Sequence, residues 1–348
     1  MNRLPTGRRS FVSAAALLLA GLGTRQARAQ GKPEKTRILI ALSAKGSLGC
    51  LPLTIADRLN YFAAEGLEVD LQEFGGGTRA LQAVQDGADD VVAGAFEHTI
   101  NLQGKNQFFS AFVLLGRAPQ VALGVSTRTM AAYKTITDLK GRKIGVSMPG
   151  SAGNTMVSLV LARGGVAPGE VHFVELGSVT AALAAVRSGQ VDAIGYAEPA
   201  MTMLEHKADI RIVADTRTLK GALEVFGGLM PAACLYAPAD FVQKNPRTVQ
   251  ALANAVVHAL KWLQTAGPSD LIKAVPEAYL MGDRGVYLAS FSKVREAIAV
   301  DGLIPDDGAR TALRVMSRLD ASIQIDKIDL ARTFTNEFSR KAKDKFRA

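Results

Sequence analysis

The chain has 348 residues, 48% of them hydrophobic, with 41 Lys and Arg against 32 Asp and Glu for a formal charge of +9. That length accommodates two domains of ordinary size, and so mild a balance gives no clustered basic face for a nucleic acid. Two cysteines, Cys50 and Cys234, exclude a disulfide framework or a cysteine-rich zinc site, and with Trp262 the single tryptophan an aromatic cage is not an obvious device.

The first segment reads as an export leader. Arg8-Arg9-Ser10-Phe11 precedes an uncharged Ala/Leu run over 13–23, and Ala27-Arg28-Ala29 supplies a small-residue cleavage site before Gln30. The arginine pair followed by Ser and Phe gives it a twin-arginine character. A run of 11 apolar residues falls short of the roughly 20 that a spanning helix needs, so no stable membrane insertion is expected once the leader is cut. Its removal takes five arginines and no acids, leaving 36 basic residues against 32 acidic ones, a charge of +4. Ser47-Leu48-Gly49-Cys50 lies too far beyond the apolar run to be a lipid-attachment site, and Cys50 reads as a buried or free thiol.

After the leader, β-branched strands alternate with Ala/Leu helices, the pattern of parallel α/β layers. Strands are expected over 36–42, 67–74 and 91–95, with helices over 51–64 and 79–85. Residues 78–90 then return as 180–192. Thr78, Leu81, Ala83, Val84 and Gly87 map to Thr180, Leu183, Ala185, Val186 and Gly189, an offset of 102. A period of that size is a domain, so two similar α/β lobes follow. The first takes 36–123 and the second 127–227. From 233 onward the chain turns helical, clearest over 247–264, where Val249, Leu252, Ala253, Val256, Leu260 and Leu263 share a stripe. That face is expected to bury on the first lobe, so lobe 1 also owns 233–348. Two crossings, over 123–127 and 227–233, would form the hinge.

Ligands of open parallel sheets gather at the carboxyl ends of strands, where loops enter helix N-termini. Six loops qualify: 43–49, 75–78 and 96–99 in the first lobe, and 148–155, 177–180 and 196–199 in the second. The first three offer Lys45, Gly46, Ser47, Leu48, Gly76, Thr78, Phe96 and Glu97. The other three offer Ser151, Ala152, Asn154, Thr155, Ser178, Tyr196 and Glu198. The glycines allow close backbone approach, while Ser151, Asn154 and Thr155 present short polar groups at a helix start that suit an anionic or strongly polar solute; plain helix capping is the alternative. Lys45 and Arg79 are the candidate cations, with solvation the expected fate of Arg79. Glu97 and Glu198 are the candidate acceptors for an amine or ring nitrogen, although Glu198 could instead fix its own loop. His98, after a strand end, reads as a surface or capping residue. No catalytic motif and no metal-ligand spacing occurs, so neither a catalytic residue nor a metal or cofactor is expected.

Several segments together carry a resemblance. Leu53-Thr54-Ile55-Ala56 leads to Tyr61-Phe62-Ala63-Ala64-Glu65-Gly66-Leu67-Glu68-Val69. Gly75-Gly76-Gly77, Asp138-Leu139-Lys140-Gly141-Arg142-Lys143-Ile144-Gly145-Val146, Gly189-Gln190-Val191-Asp192-Ala193 and Glu198-Pro199 follow. The sequence resembles the periplasmic binding proteins for nitrate, sulfonates, taurine and thiamine-pyrimidine precursors. That likeness implies a type II periplasmic binding protein fold, two α/β lobes joined by a two-crossing hinge, with the six loops lining the cleft. It also implies a periplasmic monomer that binds a small-molecule ligand and partners the permease and ATPase of an ABC transporter. Within it a sulfonate, carboxylate or similar anion is favoured, the alternatives being a thiamine-pyrimidine precursor or other nitrogen heterocycle, a sensor module, or an enzyme on the same fold. A related pyrimidine-forming enzyme relies on a cysteine-rich motif that two isolated cysteines do not make.

Overall fold

The computed structural model describes Met1 and residues 31–348; the leader, its arginine pair and its cleavage site fall outside the described residues. Strand β1 (Arg37–Leu42) leads into helices α1 (Leu51–Arg58) and α2 (Tyr61–Ala64), then β2 (Glu68–Glu73), α3 (Gly77–Gln85), β3 (Val91–Ala95), α4 (Glu97–Gly104) and β4 (Phe109–Leu114). The next half carries β5 (Val121–Ser126), β6 (Lys143–Val146), α5 (Ala152–Arg163), β7 (His172–Glu175), α6 (Val179–Ser188), β8 (Ala193–Ala197), α7 (Ala200–His206), β9 (Ile210–Asp215) and α8 (Leu219–Phe226). After β10 (Ala233–Pro238) the chain is helical: α9 (Ala239–Lys244), α10 (Pro246–Thr265), α11 (Pro268–Ala274), α12 (Arg284–Val294), α13 (Asp306–Leu319) and α14 (Glu337–Phe346).

Two five-stranded sheets result, ordered β2-β1-β3-β10-β4 and β7-β6-β8-β5-β9. In each, three parallel strands are followed by one that runs antiparallel to both its neighbours: β10 in the first sheet, β5 in the second. The sequence repeat is thus a repeat of structure. Helices α3 and α6 start at 77 and 179, and strands β3 and β8 at 91 and 193, the same offset of 102. Gly75 and Gly177, again 102 apart, both sit in the left-handed region at φ of +69° and +62°, a conformation glycine adopts without the Cβ clash.

The first expected crossing is displaced. Residues 123–127 do not run between lobes, because Val121–Ser126 is the fully buried antiparallel strand of the second sheet. The chain passes from β4 to β5 through residues 115–120, so the change of lobe precedes the apolar run instead of lying within it. The return, between α8 and β10, falls at 227–232. The helix expected over 51–64 breaks into α1 and α2 at Asn60, whose φ of 58° ends one helix before the next begins. In the tail, α10 starts with Pro246 at its first position, where the missing N–H costs no bond. Its apolar stripe is buried, and the helix packs on α1, α14 and β4 of the first lobe. Two later helices reach farther: α12 meets α7, and α13 lies against both α4 and α5.

Candidate functional site

The carboxyl ends of the strands from both sheets open onto one cavity of about 130 Å³. Each of the six loops contributes to its wall: Ser43, Ala44, Ser47 and Gly49; Gly75 and Gly77; Glu97 and His98; Ser151, Ala152 and Gly153; Gly177 and Val179; Tyr196, Ala197 and Glu198. Strand ends at Ala93 to Ala95 and at Val121, Ser147 and Gly195, with Cys50 and Ala233 of the first lobe and Pro119 and Ala232 of the crossings, complete it. The lining is mostly alanine and glycine with a few polar groups, the usual makeup of a small-molecule site. Among the described residues, the lining contains neither lysine nor arginine.

Of the residues expected to bind, Ser47, Glu97, Ser151, Ala152, Tyr196 and Glu198 line this cavity. The others stand around it with other work. Lys45 turns away and its backbone N–H donates to Glu73 Oε2 at 2.8 Å, while Gly46 abuts Tyr279. Leu48 and Phe96 are fully buried in the core. Gly76 leaves room for Met148 of the second lobe, whose Sδ would lie 2.2 Å from an added Cβ. Asn154 Oδ1 accepts from the Gly150 N–H at 3.0 Å, and the Asn154 N–H donates to Ser151 Oγ at 3.3 Å. Thr155 is buried behind that turn, and Ser178 Oγ caps α6 by accepting from the Ala181 N–H at 3.2 Å. Ser151 therefore both caps α5 and borders the cavity.

Among the described residues, the lobes touch across the cavity's edge through specific bonds. Thr78 Oγ1 donates to the Pro149 carbonyl at 3.0 Å, Arg79 Nη2 to Glu175 Oε1 at 2.7 Å, and the Leu48 N–H to the Glu198 carbonyl at 3.3 Å. Arg79 is exposed, as expected, yet it is paired with the opposite lobe. His98 departs from expectation more sharply. It is only 5% exposed, with Nδ1 2.7 Å from the Tyr236 hydroxyl and Nε2 3.3 Å from the Gly150 carbonyl of the facing lobe. Burial depresses its pKa, so the ring stays neutral and serves as a donor and an acceptor at once. A polar residue one step into a helix that follows a buried strand was the available signal for it.

The two acids of the lining differ. Glu198 is 2% exposed and fully engaged: Oε1 accepts from Thr202 Oγ1 at 2.7 Å and from Arg217 Nη1 at 2.8 Å, and Oε2 from the Thr202 N–H at 3.0 Å. Arg217, itself 1% exposed, also pairs with Asp215 at 2.6 Å and Glu205 at 2.9 Å, and Lys293 of α12 reaches the same Glu205 at 2.7 Å. Sequence reasoning missed Arg217 altogether, since it lies in the loop between β9 and α8, outside the six loops singled out from the sequence. Glu97 is 3% exposed; among the described residues its carboxyl meets no side-chain partner and has only its own backbone N–H, which offsets part of the cost of burial. Burial pushes its pKa up to about 7. Both cysteines are buried and free; burial also pushes the Cys50 thiol up to about 12, far from a reactive thiolate.

Two lobes of one sheet topology, closed on a cavity at their strand ends, make this the two-lobed fold of the type II periplasmic binding proteins. A family model described as NMT1/THI5 like matches residues 49–267, and the chain belongs to that family. A solved structure from Bordetella bronchiseptica RB50 is 49% identical, covers 91% of this chain and 100% of its own, and superposes with a TM-score of 0.89. More distant structures share the fold. The alkanesulfonate-binding protein SsuA from Xanthomonas axonopodis pv. citri, bound to MOPS, is 16% identical over 87% of this chain and 99% of its own, TM-score 0.66. The periplasmic nitrate-binding protein NrtA from Synechocystis PCC 6803 is 14% identical over 90% of this chain and 89% of its own, TM-score 0.70. A binding protein of Brucella abortus (strain 2308) is 26% identical over 224 residues; the match spans 63% of this chain and 64% of that relative.

Proposed function

We propose that the protein captures a small organic solute between its lobes in the periplasm, as a monomer, and presents the closed form to an ABC permease and its ATPase. The observation that carries this reading is the convergence of all six strand-end loops on one cavity, with bonds from Thr78, Arg79 and His98 holding the opposite lobe across it. The hinge at residues 115–120 and 227–232 would open the cavity, and solute contacts to both lobes would favour closure, because a ligand shifts such an equilibrium only by binding one state better. Backbone N–H groups at the starts of α3, α5 and α6 border the cavity at Gly77, Ala152 and Val179. They suit an acceptor-rich or anionic end of the solute. The sulfonate and nitrate ligands of SsuA and NrtA are in keeping with that end. Both ring nitrogens of His98 are already engaged, so no serine or cysteine of the lining is paired with a base, which favours binding over catalysis.

A thermal-shift screen of the protein lacking residues 1–29 against sulfonates, carboxylates, nitrate and pyrimidines tests this. At least one class raises the Tm in proportion to the logarithm of its concentration, as native-state binding requires. A flat response to every class at millimolar concentration would contradict it.

A further inference from the structure

The unengaged carboxyl of Glu97 has no role in the fold or in lobe closure as described above. A buried acid normally has compensating donors, since leaving it bare costs desolvation energy with nothing in return. Beyond its own backbone N–H, its surroundings offer no free donor. The Tyr236 hydroxyl beside it is occupied with His98, the nearby Cys234 thiol is 3.6 Å from the Gly94 carbonyl, and Arg217, the one buried guanidinium among the described residues, is held by Glu198, Glu205 and Asp215. The carboxyl oxygens are not among the side-chain atoms sealed against protein without a partner. With the residue almost wholly buried, the open space they meet is the cavity that Glu97 lines.

Resting on the solute-binding reading, we propose that Glu97 determines specificity by accepting a hydrogen bond from a nitrogen donor of the solute. The solute is then a bifunctional molecule: an ammonium, amide or amino-substituted ring at the α4 end, and an acceptor group at the helix starts opposite. A simple anion lacking an N–H satisfies only half of the site and leaves Glu97 bare, a penalty rather than a neutral loss. The absence of lysine and arginine from the lining points the same way, because nothing there neutralises an anion beside that acid.

The test uses three matched pairs that exchange the N–H donor for oxygen: taurine and isethionate, nicotinamide and methyl nicotinate, 4-aminopyrimidine and 4-methoxypyrimidine. Dissociation constants are measured by calorimetry for the wild type and for Glu97→Gln, an isosteric change that removes the acid without opening a void. The expected result is that the N–H member of at least one pair binds at least about tenfold tighter than its partner, the worth of one bond to a charged group. In Glu97→Gln that advantage falls below about threefold while the partner's own affinity is unchanged. Equal affinities within every pair that binds, or a preference that survives Glu97→Gln, would overturn the role of Glu97 and leave solute binding intact. Failure of all six molecules to bind would count against both.

Discussion

The loops after β3 and β8 hold matching places in the two halves, and each contributes a buried glutamate to the same cavity, yet the acids have opposite surroundings. Glu198 is wrapped by Thr202 and Arg217 and is part of the frame. Glu97, on the first helical residue of α4, has no side-chain partner among the described residues and only its own backbone N–H. The repeat supplies matching loops but not matching acids, since Glu97 plus the offset of 102 falls on Pro199; the two glutamates differ in how far the polar group already has its partners. The alanines and glycines around both are the same in kind; the difference lies in Thr202 and Arg217.

Removing that arginine is the strongest way to break the contrast. Arg217→Met leaves Glu198, Glu205 and Asp215 without their shared cation, and stripping one member from a buried ion cluster destabilises by about 3–5 kcal/mol. Urea denaturation at pH 7.5 should show this as a large drop in midpoint with little change in slope; a loss under about 1 kcal/mol would mean that the cluster is not holding the second loop.

Glu97→Gln acts in the other direction. The folded pKa of Glu97 is raised to about 7 from 4.5, so the native state binds the extra proton between those values and stability falls as pH rises through that window. By linkage the acid costs about 3 kcal/mol at pH 8, and the variant should recover it. The measurement is the pH dependence of unfolding free energy, wild type minus variant: near zero at pH 4 and growing to pH 8. A difference that does not change with pH would show that Glu97 has a partner after all.

A smaller effect is expected where the wall is pure backbone. A Cβ on Gly153 would meet the Gly195 carbonyl at 2.6 Å, so α5 can dock on β8 only through a glycine. Gly153→Ala should cost about 1–3 kcal/mol as overpacking does and weaken solute binding with it. The smallest concerns closure alone: Thr78→Val, which loses the bond to the Pro149 carbonyl, should leave the melting temperature of the solute-free protein nearly unchanged and weaken affinity about threefold to tenfold. Unchanged affinity there would detach lobe contact from binding.

The sequence made the repeat and its consequences legible, because the 102-residue offset carries strand, turn glycine and helix together. The loops it named are those that border the cavity, since strand-to-helix junctions are marked by glycines and small polar residues. Which side chain on a loop turns inward was not legible: Lys45, Leu48, Phe96 and Asn154 sit on those loops and point elsewhere, while His98 turns in. Direction depends on tertiary packing that a one-residue shift reverses. The displaced crossing has a similar cause. An apolar run such as Val121–Ser126 looks alike as a connector or as a central strand, and only the antiparallel partners β8 and β9 decide it. Arg217 was invisible for a third reason: its three acids are brought together from a strand, a helix and a loop.

A crystal structure of the protein soaked with the tightest-binding N–H probe addresses solute capture most directly. The expected density lies between the lobes, with a donor nitrogen within about 3 Å of a Glu97 carboxyl oxygen and the far end at the Ser151 turn. An empty cavity, with the same probe bound on an outer face of either lobe, would contradict it.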